Sequence, residues 1–294
     1  MTNLRPMNRA GASGPPQRGR PGRLTGRPPD RPPAVLAIAG SDSGGGAGIQ
    51  ADLKAFVACG VHGMTAITAI TAQSTVGVEA VAAVEPELIV AQVRAVQSDI
   101  GVDAVKIGML GTVETIAAVG RALDLLAPGT PIVLDPVMIA ESGARLLEPD
   151  AHAALVQLLL PRATVVTPNV PEARAIADDE RLDAPALARA IHALGPANVV
   201  VTGGHREQAI DVFFDGETLV ELPGERHPDG AAHGSGCTHS SVLAGRLALG
   251  DTPLEAARAA KARAATAVRD GLRGIGHGPG PVDVLGIRTP AARR

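Results

Sequence analysis

The chain has no tryptophan and no tyrosine, and its only phenylalanines are Phe56, Phe213 and Phe214. Proteins that grip single-stranded nucleic acid stack bases on aromatic side chains, so no nucleic-acid partner is expected. Cys59 and Cys237 cannot supply a disulfide framework for 294 residues, which points to a reducing cytoplasm. No apolar run approaches the ~18 residues of a membrane span, so no membrane partner is expected either. Lysine is rare too, confined to Lys54, Lys106 and Lys261. A core with so few rings must be built from Ala, Val, Leu and Ile. That suits buried strands covered by helices.

What charge there is lies unevenly. Residues 1–33 hold seven arginines (Arg5, Arg9, Arg18, Arg20, Arg23, Arg27 and Arg31) against Asp30 alone, with eight prolines and five glycines. Such a segment buries too little surface to offset its ordering entropy and reads as a disordered tail. The remainder is acidic, at −9. A single folded domain over residues 34–280 is expected, with residues 281–294 as a C-terminal tail.

Residues 34–280 alternate between strand and helix patterns. Strands are expected at Ala34–Ala39, Met64–Ala72, Val102–Met109, Ile132–Val137, Thr164–Thr167 and Asn198–Thr202. Helical spacing marks Ala47–Ala58, Glu85–Ile100, Thr112–Leu126 and Pro149–Leu160. Two further helical stretches precede Asn198, and two more, Thr238–Leu249 and Pro253–Asp270, end the domain. Asp215-Gly216 between Ala209–Phe214 and Leu219–Leu222 signals a hairpin. Val76–Val84 breaks the rhythm and suggests a small strand excursion. The alternation predicts an α/β fold: one mostly parallel sheet with helices on both faces.

In such sheets ligands bind at the carboxyl ends of the strands. The polar and Gly-rich signals collect there: Gly40-Ser41-Asp42, Gln73, Met109, Asp135, Asn169 and Thr202-Gly203-Gly204-His205. Gly46-Ala47-Gly48-Ile49-Gln50-Ala51 matches a dinucleotide fingerprint, but no acid ends the second strand to bind a ribose. The glycines read better as a tight turn with close helix packing. No Walker-type phosphate loop is present.

His233-Gly234-Ser235-Gly236-Cys237-Thr238 is more informative. Glycines at 234 and 236 let backbone N–H groups converge before a helix, an anion hole in the making. A helix terminus there would favour the Cys237 thiolate; a small buried cysteine is the alternative. Asn169-Val170-Pro171-Glu172 fits a helix cap, and beside an anion hole it also fits a Mg²⁺–phosphate role. The histidines show no metal spacing.

Together these segments resemble the hydroxymethylpyrimidine/phosphomethylpyrimidine kinases of thiamine biosynthesis. The resemblance runs through Ala39–Lys54, Ile67–Val78, Val105–Leu110, Leu134–Met138, Thr167–Ala173, Gly203-Gly204-His205 and His233–Thr238. It implies a ribokinase-like fold, usually dimeric, and use of Mg-ATP to phosphorylate the pyrimidine hydroxymethyl group and then the monophosphate. By that resemblance Gln73 would bond the pyrimidine ring, with Ala47, Met109, Val137 and Asp52 also at the substrate. Cys237 would take the catalytic position, and Gly234, Ser235 and Gly236 would surround the transferring phosphoryl group. Asn169, Glu172, Thr202 and Lys261 would serve ATP and its phosphates, and Asp135 with Glu172 would serve Mg²⁺.

Two departures stand out. Thr202 occupies a position where the family commonly has Lys, and Ser235 replaces the usual Thr of the anion-hole loop. A pyridoxal-type kinase of the same superfamily, or a pyrimidine-binding sensor of low turnover, therefore stays open as an alternative.

Overall fold

The computed structural model describes residues 31–140, 143–203, 209–228 and 230–288. Ala34–Ala39 form β1, and every residue in it is buried. Successive side chains of a strand face opposite ways: Ala34, Leu36 and Ile38 enter one core, Val35 and Ala37 the other. β1 pairs in parallel with β2 (His62–Ile67) on one side and β5 (Ala104–Ile107) on the other. Beyond β5 lie β6 (Ile132–Leu134), β7 (Val165–Val166) and β8 (Val199–Val201), all parallel. β9 (Asp211–Phe214) and β10 (Leu219–Leu222) are the antiparallel hairpin expected around Asp215-Gly216. The order of this eight-stranded sheet is β10-β9-β8-β7-β6-β5-β1-β2.

Helices cover both faces. α1 (Gly48–Cys59), α7 (Ser235–Ala248) and α8 (Pro253–Arg269) enclose the core that holds Phe56 and Phe213. α2 (Pro86–Asp99), α3 (Val113–Leu123), α5 (Val170–Ala177) and α6 (Ala184–His192) enclose the other core, which holds Phe214. Between α3 and α5, α4 (Ala151–Ala154) runs into a π turn and a 3₁₀ turn ending at Arg162, where the sequence suggests one continuous helix. No described helix is long and apolar enough to cross a membrane.

The stretch read as a single strand over Met64–Ala72 is two. Thr68 donates its backbone N–H to Ala39 O and its hydroxyl to Met109 O, pinning the chain at the sheet edge. Beyond that pin, β3 (Ala69–Ser74) leaves the sheet and pairs only with β4 (Gly77–Ala83), the excursion anticipated near Val76. The packed chain also begins before Ala34. Arg31 forms a two-pronged ion pair with Asp103, and Pro33 O accepts from His62 N–H. At the other end, Val282 and Val284 are buried against Ala267, so contacts continue past residue 280. Residues 1–30 of the expected tail, and 289–294, lie outside the described residues, as do Gly204 and His205.

Candidate active site

The loop after β1 packs on the loop that precedes α7, and Asp135, just past β6, meets Ser240 of α7. The loop after β1 is organised by one carboxylate. Asp42 Oδ1 accepts from Gly44 N–H at 2.8 Å, while Oδ2 accepts from Gly46 and Ala47 N–H at 3.0 and 2.7 Å. His233 Nε2 lies 3.1 Å from the same Oδ2. Burial opposes ionisation of Asp42, but the His233 ring and these amides hold its carboxyl below the usual range. Gly48 completes the turn with φ +57°, where a Cβ would strike Gly40 O.

The two glycine loops pack on each other. Gly234 has φ +81°, and a Cβ on it would lie 1.8 Å from Gly46 O, so no other residue fits. α7 therefore starts at Ser235, earlier than the helix expected from Thr238, and Ser235, Gly236 and Cys237 form its first turn. A Cβ on Gly236 would meet nothing within 4 Å. Its backbone is open to the cleft, as an anion site at a helix N-terminus requires.

Cys237 is half-buried, and its thiol is not the low-pKa group that its helix position suggests. Burial, with help from the Asp52 and Asp135 carboxylates, pushes it up to about 12 against the pull of the Lys106 ammonium and Gly48 N–H. Beneath the first turn, Lys106 Nζ donates to Asp52 Oδ1 at 2.8 Å with both side chains sealed from solvent. Ser241, one turn past Cys237, donates to the same Oδ1, and Ser240 donates to Asp135 Oδ2. Asp52 thus underlies the cleft with Oδ1 already engaged, whereas the resemblance placed it at the substrate.

Gln73 is half-buried and its Oε1 lies 3.4 Å from the Thr71 hydroxyl. With His233, Ala140 and Pro279 it lines a cavity of about 250 Å³. Met109 packs its thioether over Gly40 at the end of β1, and Val137 is half-buried just past Asp135.

Asn169 and Glu172 form the expected cap. Asn169 Oδ1 accepts from Glu172 N–H and Glu172 Oε2 from Asn169 N–H, each at 2.9 Å. Burial, then the nearby Asp135 charge, raises the Glu172 carboxyl well above its ordinary value, against Asn169 and Met138 N–H. Two crowded carboxylates suit a hard cation that keeps waters and takes only one or two protein oxygens. No group of three or more His, Cys, Asp or Glu placed to hold a metal occurs among the described residues.

Thr202 donates its N–H to Pro168 O and bridges to Asn169. Lys261 Nζ donates to Asp211 Oδ1 at 2.6 Å, and Gly203 N–H donates to the same oxygen at 2.8 Å. Lys261 also borders a second cavity, of about 470 Å³, between Pro223-Gly224 and the α8 residues Arg258 and Ala262. Asp42, Lys106 and His233 lie within the motifs that the sequence marks but carry no assigned role there, and Asp211 lies outside those motifs. Asp42 carried the only usable signal, an Asp followed by a glycine run, which favours side-chain-to-backbone turns.

Residues 42–283 match the family model described as phosphomethylpyrimidine kinase. A hydroxymethylpyrimidine/phosphomethylpyrimidine kinase of Rhizobium meliloti is 54% identical over 257 residues, covering 84% of this chain and 95% of the relative. Among solved structures, an ADP complex of a Bacillus subtilis pyridoxal kinase superposes with TM-score 0.79 at 37% identity, over 88% of this chain and all of that one. A phosphomethylpyrimidine kinase of Clostridium difficile gives 0.70 at 41% identity, over 78% of this chain and 96% of that one.

Proposed function

The chain belongs to the phosphomethylpyrimidine kinase family, and on that premise we propose that it transfers phosphoryl groups from ATP to hydroxymethylpyrimidine and then to its monophosphate, in thiamine biosynthesis. The observation that carries this reading is the open first turn of α7, set beside a candidate pyrimidine cavity. Its Gly234 loop packs on Gly46, and His233, which precedes that loop, lines the Gln73 cavity.

In this reading Gln73 offers the pyrimidine edge an amide donor and acceptor, beside Ala47, Met109 and Val137. Gly234, Ser235 and Gly236 present backbone N–H groups to the transferred phosphoryl group, where positioning and charge stabilisation do most of the catalysis. Cys237 stands at the attacking hydroxyl as its proton acceptor. Its resting thiol must lose a proton first, and Lys106 is the buried cation that favours this. Asp135 and Glu172 would hold Mg²⁺ with the phosphates and water. Bound there, Mg²⁺ would offset the Asp135 charge, one of the two carboxylates that raise the thiol, and would screen charge on the phosphoryl oxygens. Asn169, Thr202 and Lys261 serve the nucleotide, whose base suits the larger cavity; its volume is in the usual ligand range.

We also infer a homodimer. The β3–β4 ribbon leaves Ile70 exposed on one face, Val81 on the other and Val76 in its turn, and an isolated two-stranded ribbon gains stability when such apolar side chains are covered. The two free cysteines support a reducing, cytoplasmic setting. Following ATP consumption with hydroxymethylpyrimidine, its monophosphate and pyridoxal tests the substrate reading. Turnover of both pyrimidines well above pyridoxal is expected, and a preference for pyridoxal would overturn it. Light scattering tests the dimer.

A further inference from the structure

We propose that Asp211 is a positioning residue that fixes Lys261 and the Gly203 backbone in one arrangement for the nucleotide phosphates. Asp211 is buried at the start of β9, with 1% of its surface exposed. Its Oδ1 receives both the Lys261 ammonium and Gly203 N–H, and its Oδ2 faces His239 Nε2 of α7 at 3.5 Å. One carboxylate therefore touches the turn beside Thr202, the helix that lines the larger cavity, and the helix that begins at the anion hole. The packing leaves little slack. A Cβ on Gly203 would lie 1.9 Å from Ile210 O, and one on Gly224 would lie 2.5 Å from Lys261 Cε. The Lys261 stem thus crosses bare backbone at Gly224 and ends on Asp211.

Burial works against the Asp211 charge. His239, Lys261 and Gly203 N–H nonetheless keep its carboxyl below the ordinary value. Thr202 brings no cation of its own to this turn. Lys261, held by Asp211, is a cation within one shared acceptor of it. The proposal rests on the reading of the larger cavity as the nucleotide site, and the test separates the two.

Steady-state kinetics on the full chain would compare Lys261→Met, Asp211→Asn and the double variant, with ADP affinity measured by calorimetry. Lys261→Met should raise the KM for ATP about tenfold or more, the scale of a lost charged hydrogen bond. Asp211→Asn should do nearly the same while leaving the pyrimidine KM unchanged, and the double variant should be no worse than Lys261→Met alone. No effect of Lys261→Met on ATP or ADP would overturn the nucleotide reading, and the proposal with it. An effect of Lys261→Met without one of Asp211→Asn, or fully additive effects, would overturn the proposal alone. Should Asp211→Asn not fold, Asp211→Glu keeps the charge but moves it by a methylene. It should raise the ATP KM severalfold and spare the pyrimidine KM; an unchanged ATP KM, or equal rises in both, would overturn the proposal.

Discussion

Nε2 of His233 lies 3.1 Å from Oδ2 of Asp42, joining loops 191 residues apart in the chain. That contact holds the turn before α1 against the turn before α7, so the pyrimidine end and the anion hole are built as one unit. Asp42→Asn would turn an amide NH₂ toward N–H groups that now donate to a carboxylate. A loss of about 1.5–3 kcal/mol of stability at neutral pH is expected. Because the folded-state pKa of Asp42 is depressed, its contribution is present above the unfolded carboxylate range and is lost as pH falls through the folded value. Urea denaturation of both proteins should show a constant gap down to the carboxylate range and convergence below it. A gap that persists in strong acid would mean the loop is held by something else.

Cys237 gives a second, opposite test. With its thiol pushed up to about 12, alkylation by iodoacetamide in the absence of ligands should be slow at pH 7. It should keep rising through pH 9–10 with no inflection near the free-thiol value of about 8.5. Burial raises the Cys59 thiol as well, so it should not dominate the labelling. Cys237→Ala should cost roughly 10²–10⁴-fold in kcat while sparing the binding of both substrates. Cys237→Asp should keep part of the rate, since a carboxylate can also accept a proton. Mass-spectrometric labelling rates and single-turnover kinetics check both halves.

What was legible in the sequence follows contact range. β1 and the hairpin at Asp215-Gly216 were readable because an apolar run or a two-residue turn fixes them locally. The capping box of Asn169 and Glu172 was readable for the same reason. The split at Thr68 was not, since it depends on Ala39 O and Met109 O from other strands. The start of α7 at Ser235 was hidden because Gly234 serves close approach to Gly46, a tertiary demand that looks like a loop signal. The high thiol pKa of Cys237 is not legible for a related reason: its helix terminus is local, while the carboxylates of Asp52 and Asp135 arrive from α1 and from the end of β6.

Gln73→Leu should weaken pyrimidine binding roughly ten- to a hundredfold, because the buried ring nitrogens would lose a partner worth about 1–3 kcal/mol. ATP affinity should not change, since the two cavities share no lining residue. Calorimetric titrations with each ligand are the check. Unchanged pyrimidine affinity would remove Gln73 from the substrate site.

The N-terminal boundary can be set by two truncations. Removing residues 1–30 should leave melting temperature and turnover unaffected, given how few large apolar side chains the segment contains. Removing residues 1–33 takes away Arg31, which donates to both oxygens of the nearly buried Asp103. Ala34 N–H would remain as its partner. A loss of about 1–3 kcal/mol is expected, seen as a melting point lower by a few degrees. Equal melting points would show that the ion pair is dispensable.

The sealed Lys106–Asp52 pair separates folding from catalysis. Lys106→Met leaves a carboxylate without its cation in a site where both side chains have no solvent exposure. Loss of one partner of such a pair costs about 3–5 kcal/mol, readable by urea denaturation. Adding Asp52→Asn removes the stranded charge and keeps an oxygen to accept from Ser241, so much of that stability should return. Activity should not return with it. The Lys106 ammonium opposes the burial that keeps Cys237 protonated, and each unit of rise in the thiol pKa lowers the thiolate fraction about tenfold. Asp52→Asn also removes a charge that raises the thiol, a smaller effect than the Lys106 pull that lowers it. The double variant should therefore melt nearly as the parent does yet turn over more slowly, with both KM values little changed. Full recovery of kcat in that variant would show that Lys106 serves the fold alone.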